Sequence, residues 1–172
     1  MMHGTIGHAT GEIATTQDRL NELLTELAHS ETAVSCVCED GSCLGLMICS
    51  KPQGTAHLRL RLIEAKHDRM ATFVRFQLLD RRLEGNPLKS ILFAKMPDNA
   101  IKFILKLFAL PPTIRVANVG DIYTVELHEW LAKSPLAEKE IMGVRLLDCI
   151  KINGIEVETG RLVVKGRVDV AG

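Results

Sequence analysis

The sequence predicts an α+β protein in which a curved, mainly antiparallel meander sheet packs on apolar helices. Alternating apolar and polar residues run through Thr55–Lys66 and Met70–Leu79, which is the two-residue period of strands. An Asp40-Gly41 dipeptide separates two apolar runs, as in a β-hairpin. The segment Asp98–Leu110 is apolar on nearly every side, which is typical of a helix buried against another apolar surface.

The composition indicates one folded domain, which we place at residues 14–172. Of the 172 residues 47% are hydrophobic and 24% charged, which is enough apolar material for an independent core. The 21 basic and 21 acidic side chains cancel, and aromatic residues amount to only 4%. Phosphate contacts need an excess of cations and base stacking needs aromatic rings, so we expect no nucleic-acid partner.

The first thirteen residues are rich in Gly, His and Thr, and we expect residues 1–13 to be a mobile tail. They lack the basic start and apolar run of a secretion signal. Apolar runs elsewhere fall short of the ~20 residues that cross a bilayer. The expectations are therefore no membrane span and a cytoplasmic location.

The first two predicted elements are a helix over residues 16–29 and the hairpin that follows. The helix would be capped by Thr15 and would carry one apolar stripe, formed by Leu20, Leu23, Leu24 and Leu27. The hairpin joins Ala33–Glu39 to Ser42–Ser50 through a two-residue loop, which would pair Cys38 with Cys43.

Four of the five cysteines lie within this hairpin: Cys36, Cys38, Cys43 and Cys49. On the expected register Cys36, Cys38 and Cys43 share one face, and Val37, Leu44, Leu46 and Ile48 share the other. Their spacing differs from the paired C-x2-C of structural zinc sites, so we expect no metal. Buried free thiols are the preferred interpretation, with a disulfide or a metal site left open.

The second half of the chain predicts helices and then strands. Pro87–Lys95 predicts a short helix with Leu88, Ile91 and Leu92 on its apolar side, and Asp98–Leu110 a second helix. Short strands follow at Thr113–Asn118 and Ile122–Leu127, and a helical turn at His128–Lys133. A long strand is expected at Glu140–Lys151, a turn at Asn153-Gly154, and strands at Ile155–Glu158 and Arg161–Val170.

This order of elements resembles the tubular lipid-binding (TULIP) superfamily. The stretches that carry the resemblance are Leu58–Leu79, Asp98–Leu110 and the tail at residues 110–131 and 143–166. The resemblance is one of pattern over most of residues 16–170, so no motif residue is carried over. It implies a curved sheet and a long helix around an apolar, lipid-binding tunnel.

The final segment, residues 152–170, is similar to the closing hairpin of surface-presentation-of-antigens (SPOA) domains. The similarity lies in an N-G pair followed by G-x-L-V and G-R, which are mostly turn positions. It implies a small β domain of secretion and flagellar switch proteins.

Motifs for catalysis are missing from the sequence. It contains no G-x-S-x-G, no phosphate-binding G-x-x-x-x-G-K-[ST], no G-x-G-x-x-G and no H-E-x-x-H. We therefore expect a protein that is not an enzyme and holds no cofactor.

The surplus of apolar surface at Asp98–Leu110 predicts a binding protein for a lipid or other hydrophobic small molecule. Its site would be lined by Leu60, Val74, Phe76, Phe103, Leu107 and Phe108, with Lys102 and Lys106 at the mouth. The alternative is an interaction or assembly protein, in which the apolar helix or a sheet edge forms a subunit interface, for example in a homodimer.

Overall fold

The computed structural model describes residues 6–27, 31–51, 54–95 and 112–171. The strands are β1 (Ile6–Thr16), β2 (Thr32–Glu39), β3 (Cys43–Ser50), β4 (Gly54–His67), β5 (Thr72–Glu84), β6 (Arg115–Val119), β7 (Ile122–Glu126), β8 (Glu140–Ile141), β9 (Val144–Arg145), β10 (Ile150–Glu158) and β11 (Arg161–Ala171). The helices are α1 (Gln17–Leu27), α2 (Pro87–Lys95), α3 (His128–Ala132) and α4 (Leu146–Cys149), with a 3-10 turn at Pro135–Glu138.

The predicted α+β class is confirmed, with an open, mainly antiparallel sheet and a few helices. Strands β2 to β5 form the predicted meander, each antiparallel to the next. Beyond β5 come β7 and β6, and on the other side of β4 come β10, β11 and β1. Strand β4 is therefore the central element: β3 pairs with its first half and β10 meets it at His67.

Buried residues lie along the whole of β4, but the buried positions change from even-numbered to odd-numbered residues part of the way along the strand. Ile63 is an extra residue opposite β5, and the strand buries Leu58 and Leu60 before this bulge but Ala65 and His67 after it. The inward face carries the core at one end, formed by Ile48, Ala56, Leu58, Leu60, Leu83 and Phe93. The candidate site lies at the other end.

The expectation of a mobile tail over residues 1–13 is wrong for residues 6–13. They belong to β1, which pairs with β11 without a break from Ile6 opposite Ala171 to Thr16 opposite Arg161. The partner strand lies at the far end of the sequence and supplies the backbone hydrogen bonds, so local composition gives no sign of it.

The predicted two-residue loop of the β2–β3 hairpin is also wrong. The turn has three residues, with positive φ at Gly41 and Ser42, and Glu39 pairs with Cys43. Cys38 therefore lies opposite Leu44 rather than Cys43. Because a one-residue shift exchanges the faces, Cys36 and Cys38 share the side of Leu44, Leu46 and Ile48, while Val37 is exposed on the other.

Helix α1 follows β1 directly, and its first turn is capped by Thr16 rather than by the expected Thr15. The hydroxyl oxygen of Thr16 accepts a hydrogen bond from the Arg19 N–H at 3.3 Å. The predicted leucine stripe is only partly confirmed. Leu20 and Leu24 are half-buried, but Leu23 is 40% exposed.

Helix α2 has the predicted bounds, but the expected apolar side is wrong. Phe93 is its buried residue, at 1% exposure, whereas Leu88, Ile91 and Leu92 are exposed. The Asn86 side chain caps the helix by accepting from the Leu88 and Lys89 N–H groups. The side chain of Phe93 turns inward because it packs against the apolar core cluster of β3, β4 and β5, and the Arg81 guanidinium lies over its ring at 5.9 Å from the centroid.

The long strand expected at Glu140–Lys151 is wrong as well. The chain instead forms the small β8–β9 hairpin, turned by Met142 and Gly143 with positive φ, and then helix α4. The turn expected at Asn153-Gly154 lies inside β10, where Asn153 is an extra residue opposite β11. Strand β11 is as predicted to within one residue, whereas β10 begins at Ile150 rather than at the predicted Ile155.

Candidate ligand-binding site

An apolar cavity of about 330 Å³ lies where the inward face of the sheet meets the segment from Leu127 to Leu147. The sheet contributes β4, β5, β10 and β11. The large apolar residues that line it are Phe73, Val74, Leu127, Leu131, Leu136, Leu146, Leu147, Ile150, Ile152, Ile155 and Val164. We call it the apolar cavity.

The residues that line the apolar cavity are incompletely packed. Leu131, Leu147, Ile152 and Val164 are all half-buried, and Leu136 is 40% exposed. Residues of these types are ordinarily among the most deeply buried in a folded chain. The sheet and the segment above it thus border a concave apolar space that is partly open to solvent and that the side chains of the described residues leave unfilled.

The segment above the sheet is folded by short-range signals. A helical turn in α3, the 3-10 turn that begins at Pro135 and the short helix α4 bring leucines that are far apart in sequence over the same part of the sheet. The Leu146 N–H donates to the Lys139 carbonyl at 2.7 Å and closes the loop between the 3-10 turn and α4.

His67 forms one wall of the cavity and is fully hydrogen-bonded. Its Nε2 lies 2.9 Å from the carbonyl oxygen of Leu147, and its Nδ1 lies 2.7 Å from the hydroxyl of Thr72. A carbonyl only accepts, so Nε2–H donates to Leu147, and the second hydrogen bond joins Nδ1 to the Thr72 hydroxyl. These bonds connect β4, β5 and α4 and fix the wall.

A second, polar pocket of about 270 Å³ adjoins the apolar cavity. We call it the polar pocket. The two have His67, Thr72, Leu131 and Leu147 in common among their lining residues. The charged and titratable side chains that line the polar pocket, besides His67, are Asp68, Arg69, His128, Arg145 and Asp148.

The charge of Asp68 is already balanced. Its carboxylate accepts the N–H groups of Met70 and Ala71, both at 2.8 Å, and lies 3.2 Å from the Lys66 ammonium. These backbone hydrogen bonds and the lysine lower the pKa of Asp68 to about 2, so it is ionised at neutral pH. Arg69 and Arg145, by contrast, form no ion pair with any residue of the described ranges.

Three of the predicted site residues lie in the described part of the chain, and one of these three, Val74, lines the apolar cavity. Leu60, at 5% exposure, belongs to the core around Phe93, and Phe76 stacks on Tyr123 with 5.6 Å between ring centroids. The helix predicted at Asp98–Leu110 lies outside the described residues. The predicted site residues in that helix are Lys102, Phe103, Lys106, Leu107 and Phe108.

Most residues of the apolar cavity were missed by sequence reasoning. In the strand predicted at Glu140–Lys151, Leu146 and Ile150 share one face and Leu147 lies on the other. The four-residue spacing of Leu146 and Ile150 also fits one helical turn, and this alternative would have predicted the helix at this place. The leucines Leu131 and Leu136 lie in turns, where no periodic pattern marks them.

The five cysteines are free thiols, all buried except Cys49. Burial and the neighbouring Cys38 raise the pKa of Cys36 to about 11. Within the described ranges no three His, Cys, Asp or Glu side chains are grouped to hold a metal ion. Among the same residues, no helix has the length and apolar character needed to cross a membrane.

Comparison with protein-family models, curated proteins and solved structures finds no match for this chain. The functional interpretation therefore depends on the geometry of the apolar cavity and the polar pocket.

Proposed function

We propose that the protein binds a lipid-like or other hydrophobic small molecule in the apolar cavity and does not transform it chemically. The observation that carries the proposal is a concave space of about 330 Å³ lined mainly by apolar side chains of the described residues. Ligand pockets are concave, mostly apolar and about 300–1,000 Å³ in volume. A bound alkyl chain would gain about 0.8 kcal/mol for each methylene removed from water.

The volume also favours a small ligand. Because the apolar cavity lies near the lower end of that range, it suits one short alkyl chain or a compact ring system better than a two-chain lipid. This proposal keeps the class of ligand predicted from the sequence and assigns it to different residues. Membership in the TULIP superfamily and a cytoplasmic location stay predictions.

A cavity-filling variant tests the proposal. Val74→Phe adds a ring inside the apolar cavity, whereas Val119→Phe adds the same ring to a side chain that is 86% exposed. Binding of decanol to the purified full chain is followed by the fluorescence of its single tryptophan, Trp130, which lies in α3 beside Leu131. We expect Val74→Phe to weaken binding at least tenfold, which is about 1.4 kcal/mol, and Val119→Phe to leave it unchanged.

Two results would contradict the proposal. One is the absence of decanol binding by the unmodified chain together with no co-purified hydrophobic molecule in native mass spectrometry. The other is equal binding by both variants, because the ligand would then lie elsewhere.

The alternative function, assembly through an exposed surface, is favoured by a different observation. Among the described strands β1 pairs only with β11, which leaves the outer edge of an 11-residue strand available to a second chain. Light scattering distinguishes the two functions. A stable dimer that is disrupted by Ile13→Pro, at an exposed position of β1, would support assembly.

A further inference from the structure

The polar pocket and the apolar cavity adjoin each other, because four lining residues belong to both. The side chains of His67 and Thr72 are hydrogen-bonded to each other, and His67 is also hydrogen-bonded to the Leu147 carbonyl. The boundary between the two spaces therefore offers no unpaired polar atom from these two side chains. A ligand that fills the apolar cavity would place its polar end in the polar pocket, since burying that end without a partner is costly.

The charged side chains around the polar pocket indicate whether the polar end of the ligand is anionic or cationic. Arg69 and Arg145 contribute two cations that have no ion pair with any described residue. Two acidic side chains line the pocket. Asp68 is paired with Lys66 and with two backbone N–H groups, and Asp148 is the other. His128, which is exposed, adds a further positive charge only when protonated. With Lys66 counted, three cations stand against two carboxylates, which is an excess of one positive charge. Guanidinium groups bind carboxylate and phosphate oxygens in a bidentate manner.

From these charges and the shared wall we infer that the ligand is a single-chain amphiphile with an anionic oxygen headgroup. Its alkyl chain occupies the apolar cavity, and its headgroup lies between Arg69 and Arg145. This inference rests on the proposed function and adds the chemical class of the ligand to it. A carboxylate and a phosphate have the required chemistry in common.

Ligands of equal chain length test the inference on the full-length chain. The four probes are decanoate, decyl phosphate, decanol and decylamine, each titrated against Trp130 fluorescence below its micelle concentration. We expect decanoate or decyl phosphate to bind at least tenfold more tightly than decanol, and decylamine to bind more weakly than decanol. The tighter of the two anions identifies the headgroup.

Matched arginine variants show whether the two named side chains cause the preference. The double variant Arg69→Ala/Arg145→Ala should reduce the ratio of anion to alcohol affinity to about one while decanol affinity stays unchanged. Arg61→Ala removes an exposed arginine of β4 that lines neither space, so the ratio should stay at the unmodified value.

The outcomes separate this inference from the proposed function. If all four probes bind the unmodified chain equally, the apolar cavity is a ligand site and the headgroup inference is overturned. The inference is also overturned if the double arginine variant keeps the anion preference. If none of the four probes binds, the proposed function fails and the inference fails with it.

Discussion

The side-chain amide of Asn21 forms two hydrogen bonds with the backbone of Cys36. Its Oδ1 accepts from the Cys36 N–H at 2.6 Å, and its Nδ2 donates to the Cys36 carbonyl at 3.1 Å. One turn earlier in α1, the Gln17 Oε1 accepts from the Cys38 N–H at 2.8 Å. Helix α1 therefore pairs with the outer edge of β2 through side chains, as a neighbouring strand would through its backbone.

Replacing Asn21 tests this edge pairing. We expect Asn21→Ala to lower the free energy of unfolding by about 1–3 kcal/mol, because the Cys36 peptide loses both partners while its side chain stays buried. Asn21→Asp should also destabilise the fold, since a carboxylate accepts the N–H bond but repels the carbonyl. Urea unfolding followed by circular dichroism measures both.

Glu26→Ala is the control for the Asn21 variants, because Glu26 is an exposed residue of the same helix. It should change stability by less than about 0.5 kcal/mol. If Asn21→Ala were equally neutral, the hydrogen bonds to Cys36 would contribute nothing to the fold.

The orientation of α2 leads to a second prediction. Phe93→Ala should cost about 3–5 kcal/mol in unfolding free energy, because Phe93 is 1% exposed within the core cluster. Leu92→Ala, one position earlier and 60% exposed, should cost less than about 1 kcal/mol. Thermal and urea unfolding measure both. A larger loss of stability for Leu92→Ala than for Phe93→Ala would mean that α2 buries the predicted side, with Leu88, Ile91 and Leu92.

The thiol of Cys36 predicts a loss of stability at alkaline pH. Its pKa rises from the usual 9.0 to about 11, chiefly through burial and further through Cys38. The folded chain holds this proton more tightly than the unfolded chain. The stability that the protonated thiol contributes is therefore fully present below the unfolded pKa of 9.0 and is lost as the pH rises through the folded pKa of about 11. The free energy of unfolding should therefore fall between pH 9 and pH 11.

A double variant isolates the contribution of the two neighbouring thiols. Cys36→Ala/Cys38→Ala should flatten the alkaline pH profile, because burial also raises the pKa of Cys38. Cys49→Ala, at the half-buried thiol of the same hairpin, is the matched thiol-removal variant with which the double variant is compared. An unchanged slope in the double variant would assign the alkaline loss to other groups.

Local signals in the sequence predicted much of the fold but less of the candidate site. The strand alternation around Leu58 and Val74, the Pro at the start of α2 and the Thr159-Gly160 turn depend on residues close in sequence. Those elements are present where predicted, although β5 extends to Glu84 rather than Leu79. The apolar cavity joins Val74 to Leu131 and Leu146, which lie in three separate elements. Only Val74 was predicted, because the grouping of the others depends on long-range packing.

The sequence by itself determined the α+β class and the meander β2 to β5. These follow from periodicity and turn residues, which act over a few positions. Tertiary structure alone decided that residues 6–13 pair with β11, that Phe93 is the buried residue of α2, and that α4 closes over the sheet. The physical reason is the same in each case. Backbone edges and apolar surfaces are satisfied by partners from distant parts of the chain, and that complementarity exists only after the chain has folded.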